Sequence, residues 1–586
     1  MLTPPTASII LSFALSVILS NALLIGASAR EAHASVAQAD AVFLNGNFYT
    51  ANPRQPWASA VAIQGDRILY VGDEAGVAAL IGPETTQYQL EGKLVLPGLI
   101  DAHTHPGYVA RSVGNLWIGA VKTRAELMRA IAEMVESNPD RPVLLGGSWP
   151  NELFDERGPH KRDLDRIESS RPVILYDAWG HSVWANSKAL ERAGVDRNTP
   201  DVIPGLAYYQ RDENGEPTGW ITESAASVFA NHFQTMTPAT EQSILRYLQY
   251  LRNLGVTTLL DAGNFGWDDE VYALISRWDQ QGVLPLRYHG AYTLFLPEDL
   301  PNAVAELKRM RRVYGSDRVR IDTLKVFLDG VIETRTADMS EDYLDTPGNS
   351  GHSLLNQAQL RQLILDLHAE DLDMHVHTVG NQAIKMMLNA VEEARKSLSE
   401  PLNTRVALCH LEVMDDSDFN RFKDLGVVAS FTPHWHGGDR AVLELAIGDK
   451  ARSMMRAQPL ISDGAVVTFS SDITDESEWK SERANPYLGM QIGYNKQEIE
   501  GGAQAFLTPP RSERLGLDAL VDGYTRNAAF QLGRSDQLGS IEVGKRADLV
   551  VLDQNLFEID RYDIHKVRPV AVWLDGELVH GALPQP

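Results

Sequence analysis

The chain has 586 residues, a formal net charge of −25 and one cysteine, Cys409. That length is too great for one simple core and points to two to four structural units. The carboxylate excess argues against nucleic acid or an anionic membrane surface as a partner. The lone cysteine excludes an internal disulfide or a thiolate cluster, so any metal must be held by His, Asp, Glu or Lys.

Residues 1–34 carry an uncharged apolar run, ASIILSFALSVILSNALLIGASA, with A-x-A patterns at Ala27-Ser28-Ala29 and Ala32-His33-Ala34. They read as a signal peptide, or as an N-terminal anchor if left uncleaved, because the run is just long enough to span a bilayer and lacks a positive start. The protein is accordingly expected to be secreted or periplasmic, or membrane-anchored. Residues 35–97 alternate apolar and polar positions in short strands, with turns at Asn45-Gly46 and Gly65-Asp66. The same texture returns in GSIEVGKRADLVVLD and PVAVWLDGELVHG. The two ends therefore predict one small β-sandwich, with residues 505–586 supplying a helix and its second part.

Residues 98–504 alternate apolar strands with amphipathic helices. The strands are LVLPGLIDAHTH, GVTTLLDAG, LPLRYHGAYTL, VRIDTLKVFLDG, LDMHVHTVG, RVALCHLEV, GVVASFTPHW and AVVTFSSDIT. Near-continuous apolar strands joined by helical crossovers require a parallel sheet, and eight in series predict an α/β fold of the (β/α)8 TIM-barrel type. A stretch rich in Gly, Pro and Trp, about 108–232, follows the first strand and reads as a large insertion covering the barrel mouth.

In such a barrel, chemistry sits at the carboxyl ends of the strands. The first strand ends in His103 and His105, the fourth carries Lys325, the fifth His377, the sixth His410, and the eighth is followed by Asp472. Residues i and i+2 of a strand face the same way, so His103 and His105 converge on one ion. Zinc accepts both imidazole and carboxylate ligands. Lys325 is the odd member: as an ammonium it repels a metal, whereas as a carbamate it becomes an anionic bridge between two. Cys409, within the apolar VALCH, reads as a small buried hydrophobe.

LPGLIDAHTH followed in order by Lys, His, His and Asp resembles the metal-dependent amidohydrolase superfamily. GHSVWANSKALERAG, GEPTGWITESA, LKVFLDGVIETRTA, HVHTVGNQAI and SSDIT are closest to its N-substituted formamide deformylase branch. The resemblance implies a hydrolase that cleaves the C–N bond of an amide or an N-formyl or N-acyl amine through a metal-activated hydroxide. It implies a divalent metal, zinc first, one or two per chain, held by His103, His105, Lys325, His377, His410 and Asp472, with Lys325 carboxylated or a plain amine. Asp472, Lys325 and His410 are its catalytic candidates, Asp472 as the proton carrier. His375, two residues before His377, also faces inward and is the alternative ligand, though its place one layer lower favours a supporting role behind His377; Asp101 is expected to orient the first-strand histidines.

His181, Trp149, Trp184, His434 and Trp435 are candidate substrate contacts, with Trp179, Trp220 and His436 beside them; a core role is the alternative for each. Two positions depart from the branch: Asn381 stands where an Asp is usual, and Thr432 where a Gln is usual. Both were expected near substrate. The expected partner is a small-molecule amide, with no nucleic acid; a homodimer is an open assembly state. The competing readings are a one-metal deaminase, which needs no bridging lysine, and a non-catalytic binding protein, which needs no intact ligand set.

Overall fold

The computed structural model describes residues 38–438 and 440–583. The apolar segment read as a signal peptide or anchor lies outside the described residues. Among the described residues, no helix is long and apolar enough to cross a membrane.

The centre is an eight-stranded parallel sheet. Its strands are β1 (Leu99–Thr104), β2 (Val256–Asp261), β3 (Arg287–Leu294), β4 (Val319–Phe327), β5 (Asp373–Thr378), β6 (Val406–His410), β7 (Val428–Phe431) and β8 (Val467–Phe469). Each pairs with its sequence neighbour. They are short and buried because helices pack on their outer faces, among them Pro238–Asn253, Gln357–His368 and Asn381–Ser397. The sheet curls until its ends meet. Asp472 N–H donates to His103 O at 2.9 Å and His105 N–H to Ile473 O at 3.0 Å. Lower in this seam the C-terminal segment enters: Ile100 N–H donates to Tyr524 O, and Gln531 Nε2 to Ala102 O.

The two chain ends share a β-sandwich. Leu94–Pro97 pairs antiparallel with Leu549–Leu552 in one six-stranded sheet. A four-stranded sheet built from Ala41–Leu44, Ala60–Gln64, Arg67–Gly72 and Thr86–Gln89 faces it. Phe43, Phe48, Val61, Ile63, Val95, Val551 and Trp573 fill the space between. Gly98 joins the sandwich to β1, and its N–H donates to Asp548 O. A Cβ there would lie 2.2 Å from Thr257 Oγ1, so only glycine permits this approach.

A separate six-stranded sheet lies between β1 and β2. It runs, edge to edge, through Tyr209–Arg211, Pro217–Thr222, Ser182–Ala185, Val173–Asp177, Leu144–Trp149 and Leu116–Trp117. It has its own apolar core, with Leu127, Ile131, Leu164, Leu175 and Trp184.

Candidate metal centre

At the carboxyl end of the barrel, His103, His105 and Asp472 form a tight triangle. His103 Nε2 and His105 Nε2 are 3.1 Å apart, and each is 3.4 Å from Asp472 Oδ1. Four ligands at ~2.0–2.1 Å around a tetrahedral zinc have edges of about 3.3 Å, so these three atoms outline one face of such a site. His105 Nδ1 lies 3.0 Å from Gly263 O, which fixes the proton there and leaves the Nε2 lone pair facing the triangle. All three side chains are buried. The residues therefore fit a divalent ion.

Local backbone geometry aims the other candidates. On β6, Cys409 already faces inward, with Sγ 3.4 Å from Lys325 Nζ. His410, next along, would face outward in a regular strand. Its φ of 74° turns the ring back over the site, where it lies 4.4 Å from the His377 ring and 5.2 Å from that of His103. Asp472 has φ 51° and makes the same reversal. Non-glycine residues rarely adopt this region, and such strain clusters at functional sites. His410 Nδ1 is buried without a hydrogen-bond partner, 3.5 Å from Asp472 Oδ2.

Lys325 Nζ lies 3.4 Å from His103 Nε2. His377 is stacked on Phe327 at 4.3 Å, and its Nε2 is 3.1 Å from Gly330 O, which leaves Nδ1 for ligation. Burial holds His103, His377 and His410 well below the usual imidazole pKa, so they are neutral, the form that binds metal. His375 stands behind the triangle: its Nε2 is 3.2 Å from His103 Nδ1.

Asp101 differs from expectation in how it acts. Its carboxylate accepts from the backbone N–H of His103 and from Ser471 N–H and Oγ, not from an imidazole. It ties β1 to the residues after β8, and burial raises its pKa to about 6. Cys409 also does more than fill space, since it contacts Lys325 and donates to Val376 O; burial raises its pKa to about 12.

The triangle opens into a cavity of ≈ 1020 Å³ between the barrel mouth and the inserted sheet. His181 reaches it from the insertion. Its Nδ1 is 2.7 Å from Glu223 Oε2, and its ring lies 5.7 Å from the Phe327 and His377 rings. Burial works against the imidazolium, but the charge and hydrogen bond of Glu223 outweigh it and raise the pKa to about 9. Trp435 lines the cavity and stacks on His410, 5.5 Å away at 14°.

The other candidate contacts divide. Trp149 and Trp220 touch the cavity from the insertion's core, and Trp149 Nε1 donates to Leu175 O. Trp184 is a correction: it is wholly buried against Trp149 and Phe154 and forms no part of the cavity wall. His434 borders the cavity but is bound to Asn485 O, and burial lowers its pKa to about 4. His436 is fully buried and away from the wall, as are the two departures from the branch. Asn381 bonds Ser340 and Asp415, and Thr432 lies beside Ser470.

Three residues were missed. Glu223 fixes His181 and accepts from Thr334 and Thr336. Asp329 accepts from the N–H groups of Asp338, Val379 and Gly380, holding the turn after His377. Gln531 backs His375 at 3.4 Å. The first two lie inside WITESA and VFLDG, stretches the sequence had already marked without assigning them roles.

A closed parallel barrel with a buried His–His–Asp face at its carboxyl end defines a divalent-metal-dependent hydrolase. The chain belongs to the amidohydrolase family, whose model matches residues 88–580. It is similar to Exoenzymes regulatory protein AepA of Pectobacterium carotovorum subsp. carotovorum, at 32% identity over 68% of this chain and 86% of that protein. It is similar to N-substituted formamide deformylase of Arthrobacter pascens, at 26% over 92% of this chain and 98% of that one. Among solved structures, an uncharacterized metal-dependent hydrolase from Pyrococcus furiosus matches with a TM-score of 0.62 at 25% identity, covering 88% of this chain and 99% of that one.

Proposed function

We propose that this protein hydrolyses the C–N bond of an amide or an N-formyl or N-acyl amine. The observation that carries the reading is the triangle of His103 Nε2, His105 Nε2 and Asp472 Oδ1, with edges of 3.1, 3.4 and 3.4 Å. The likeness to N-substituted formamide deformylase supports this bond class.

Zinc held by these three atoms would polarise a carbonyl and bring the pKa of water towards ~7. Asp472 Oδ2, the oxygen turned towards His410, takes the proton from the attacking water and returns it to the leaving nitrogen. His181, kept as an imidazolium by Glu223, donates to the oxyanion that forms at the substrate carbonyl. Trp435 and Phe327 cover His410 and His377 and exclude bulk water.

Lys325 supports a second ion at His377 and His410. An ammonium 3.4 Å from a ligating nitrogen would oppose a metal, whereas a carbamate on Nζ supplies a bridging anion. The test is metal content per chain after reconstitution with and without bicarbonate, together with hydrolysis of a panel of N-formyl and N-acyl amines. Two zinc ions that depend on bicarbonate, coupled to hydrolysis, are expected. One ion with full hydrolysis would leave Lys325 a plain amine, and one ion without hydrolysis of the panel would favour the deaminase. A folded chain that takes up no metal would end the hydrolase reading.

A further inference from the structure

The cavity has a second polar wall, formed by Glu333, Glu412 and Arg440, that the reaction above does not use. Arg440 is anchored through Nη2, which donates to Trp435 O and lies 3.1 Å from Met455 Sδ. Its Nη1 is buried and has no hydrogen-bond partner among the described residues. Glu412 is 8% exposed, and among the described residues its carboxylate meets no donor. Among the described residues, Glu333 accepts only from its own backbone N–H. Arg440 feels the charges of Glu412, Glu333 and Glu498, yet none of them closes to an ion pair with it.

A guanidinium and two acidic side chains facing one space without meeting leave their desolvation unrecovered, and burial raises the pKa of both acids, that of Glu412 to about 8. The occupant that relieves this can be argued from charge. An anion alone satisfies Arg440 but leaves the two glutamates without a donor. A cation alone satisfies the glutamates but opposes Arg440. A group bearing both charges on one carbon meets all three.

We infer that this wall binds the ammonium–carboxylate head of an amino-acid-like substrate, with the carboxylate on Arg440 Nη1 and the ammonium on Glu333 and Glu412. The inference rests on the hydrolase reading and narrows it to amides that carry a free α-amino acid head. The cavity is at the upper end of the ~300–1,000 Å³ usual for small-molecule sites. Its rim exposes Trp117, Trp179 and Leu445, which gives an apolar acyl group a place to lie.

The test needs no turnover. Norleucine, pentylamine and hexanoate share an alkyl chain and differ only in the ammonium and the carboxylate. Each is titrated calorimetrically into the intact, metal-loaded protein and into its Arg440→Gln and Glu333→Gln variants, after metal content and near-UV dichroism confirm the fold. Norleucine is expected to bind at least about tenfold more tightly than either single-charge analogue. Arg440→Gln should bring norleucine to the level of pentylamine and leave pentylamine unchanged. Glu333→Gln should bring it towards hexanoate. Equal binding of the three ligands, no norleucine heat, or a variant that weakens all three alike would overturn the inference. None of these ligands contains an amide, so failure of the hydrolase reading would show separately, as absent hydrolysis with the binding order intact.

Discussion

Arg287→Met should strand a buried carboxylate and destabilise the chain without touching the metal centre. Arg287, at the start of β3, is 2% exposed and donates through both terminal nitrogens to Asp548, at 2.5 and 3.0 Å. It also meets Asp575, which has Arg546 as a second partner at 3.1 Å. Asp548 is 7% exposed and, among the described residues, pairs with no other cation. Removing one member of a buried pair costs about 3–5 kcal/mol, and here nearly all of it falls on Asp548.

The pH dependence has a definite sign. In the wild type, burial would raise the Asp548 carboxyl, but the Arg287 charge and hydrogen bonds hold it below the usual value. Its stabilisation is therefore present above the unfolded pKa, about 3.9, and is lost as pH falls through the folded value. In Arg287→Met the Asp575 N–H and the Thr257 side chain still favour the carboxylate, but burial outweighs them, the pKa rises above 3.9, and acid relieves the penalty. The deficit should be largest near pH 7.5 and shrink towards pH 5. Urea midpoints read by tryptophan fluorescence and by circular dichroism, with m unchanged, measure it. Adding Asp548→Asn should recover much of the loss. A deficit below about 1 kcal/mol, or one indifferent to pH, would refute the argument.

Glu223→Gln should lower kcat/KM by about 10²–10³ while metal content stays at the wild-type level. With Glu223 gone, burial lowers the His181 pKa from about 9, so the high-pH limb of the rate profile should move to lower pH; an unmoved limb would free His181 of its proposed role. Chelation should lower the thermal midpoint of the wild type, because an ion bound only by the folded state stabilises it by mass action. The same treatment should leave His105→Ala unmoved, and a chelator-insensitive wild type would contradict the triangle. Trp184→Phe should cost stability with KM unchanged, since the ring lies in the insertion's core; a KM effect would return it to the cavity wall.

The barrel was legible because its signal is repetitive. Eight apolar runs separated by helical stretches leave few alternatives, and the proposed metal ligands belong to five of them, towards the carboxyl end. The period of two brought His103 and His105 together, although the pairing of β1 with β2 shifts register between Asp101 and Thr104. It could not place His410 beside Cys409, since alternation sends adjacent residues to opposite faces and only a left-handed backbone reverses that. The tryptophans of the insertion were ambiguous for a different reason. Trp149, Trp184 and Trp220 lie on one small sheet, and whether each meets core or cavity depends on how that sheet packs. Glu223 was invisible as a partner of His181 because forty residues separate them and the contact is made by antiparallel pairing of Ser182–Ala185 with Pro217–Thr222.

The positive φ angles at Glu223, His410 and Asp472 all fall at or just past the end of a strand. His410 closes a strand, Glu223 directly follows one, and Asp472 lies three residues beyond the end of β8. Such conformations cost about 1–3 kcal/mol apiece and persist only where neighbours over-determine them. Here the neighbours are visible. Asp472 N–H is fixed on His103 O, Leu411 N–H on Thr378 O, and Glu223 N–H on His181 O. In two of these three bonds the carbonyl belongs to a residue whose side chain also enters the site. The strain and the register of the strands are therefore set by the same bonds, which hold the ligand triangle at coordination spacing. A site assembled this way resists adjustment: moving Asp472 pulls on the strand that carries His103, and moving Glu223 pulls on the turn that carries His181. Substrate range should accordingly be set by what lines the cavity beyond the metal centre, where side chains such as Arg440 and Glu333 change without disturbing the strands.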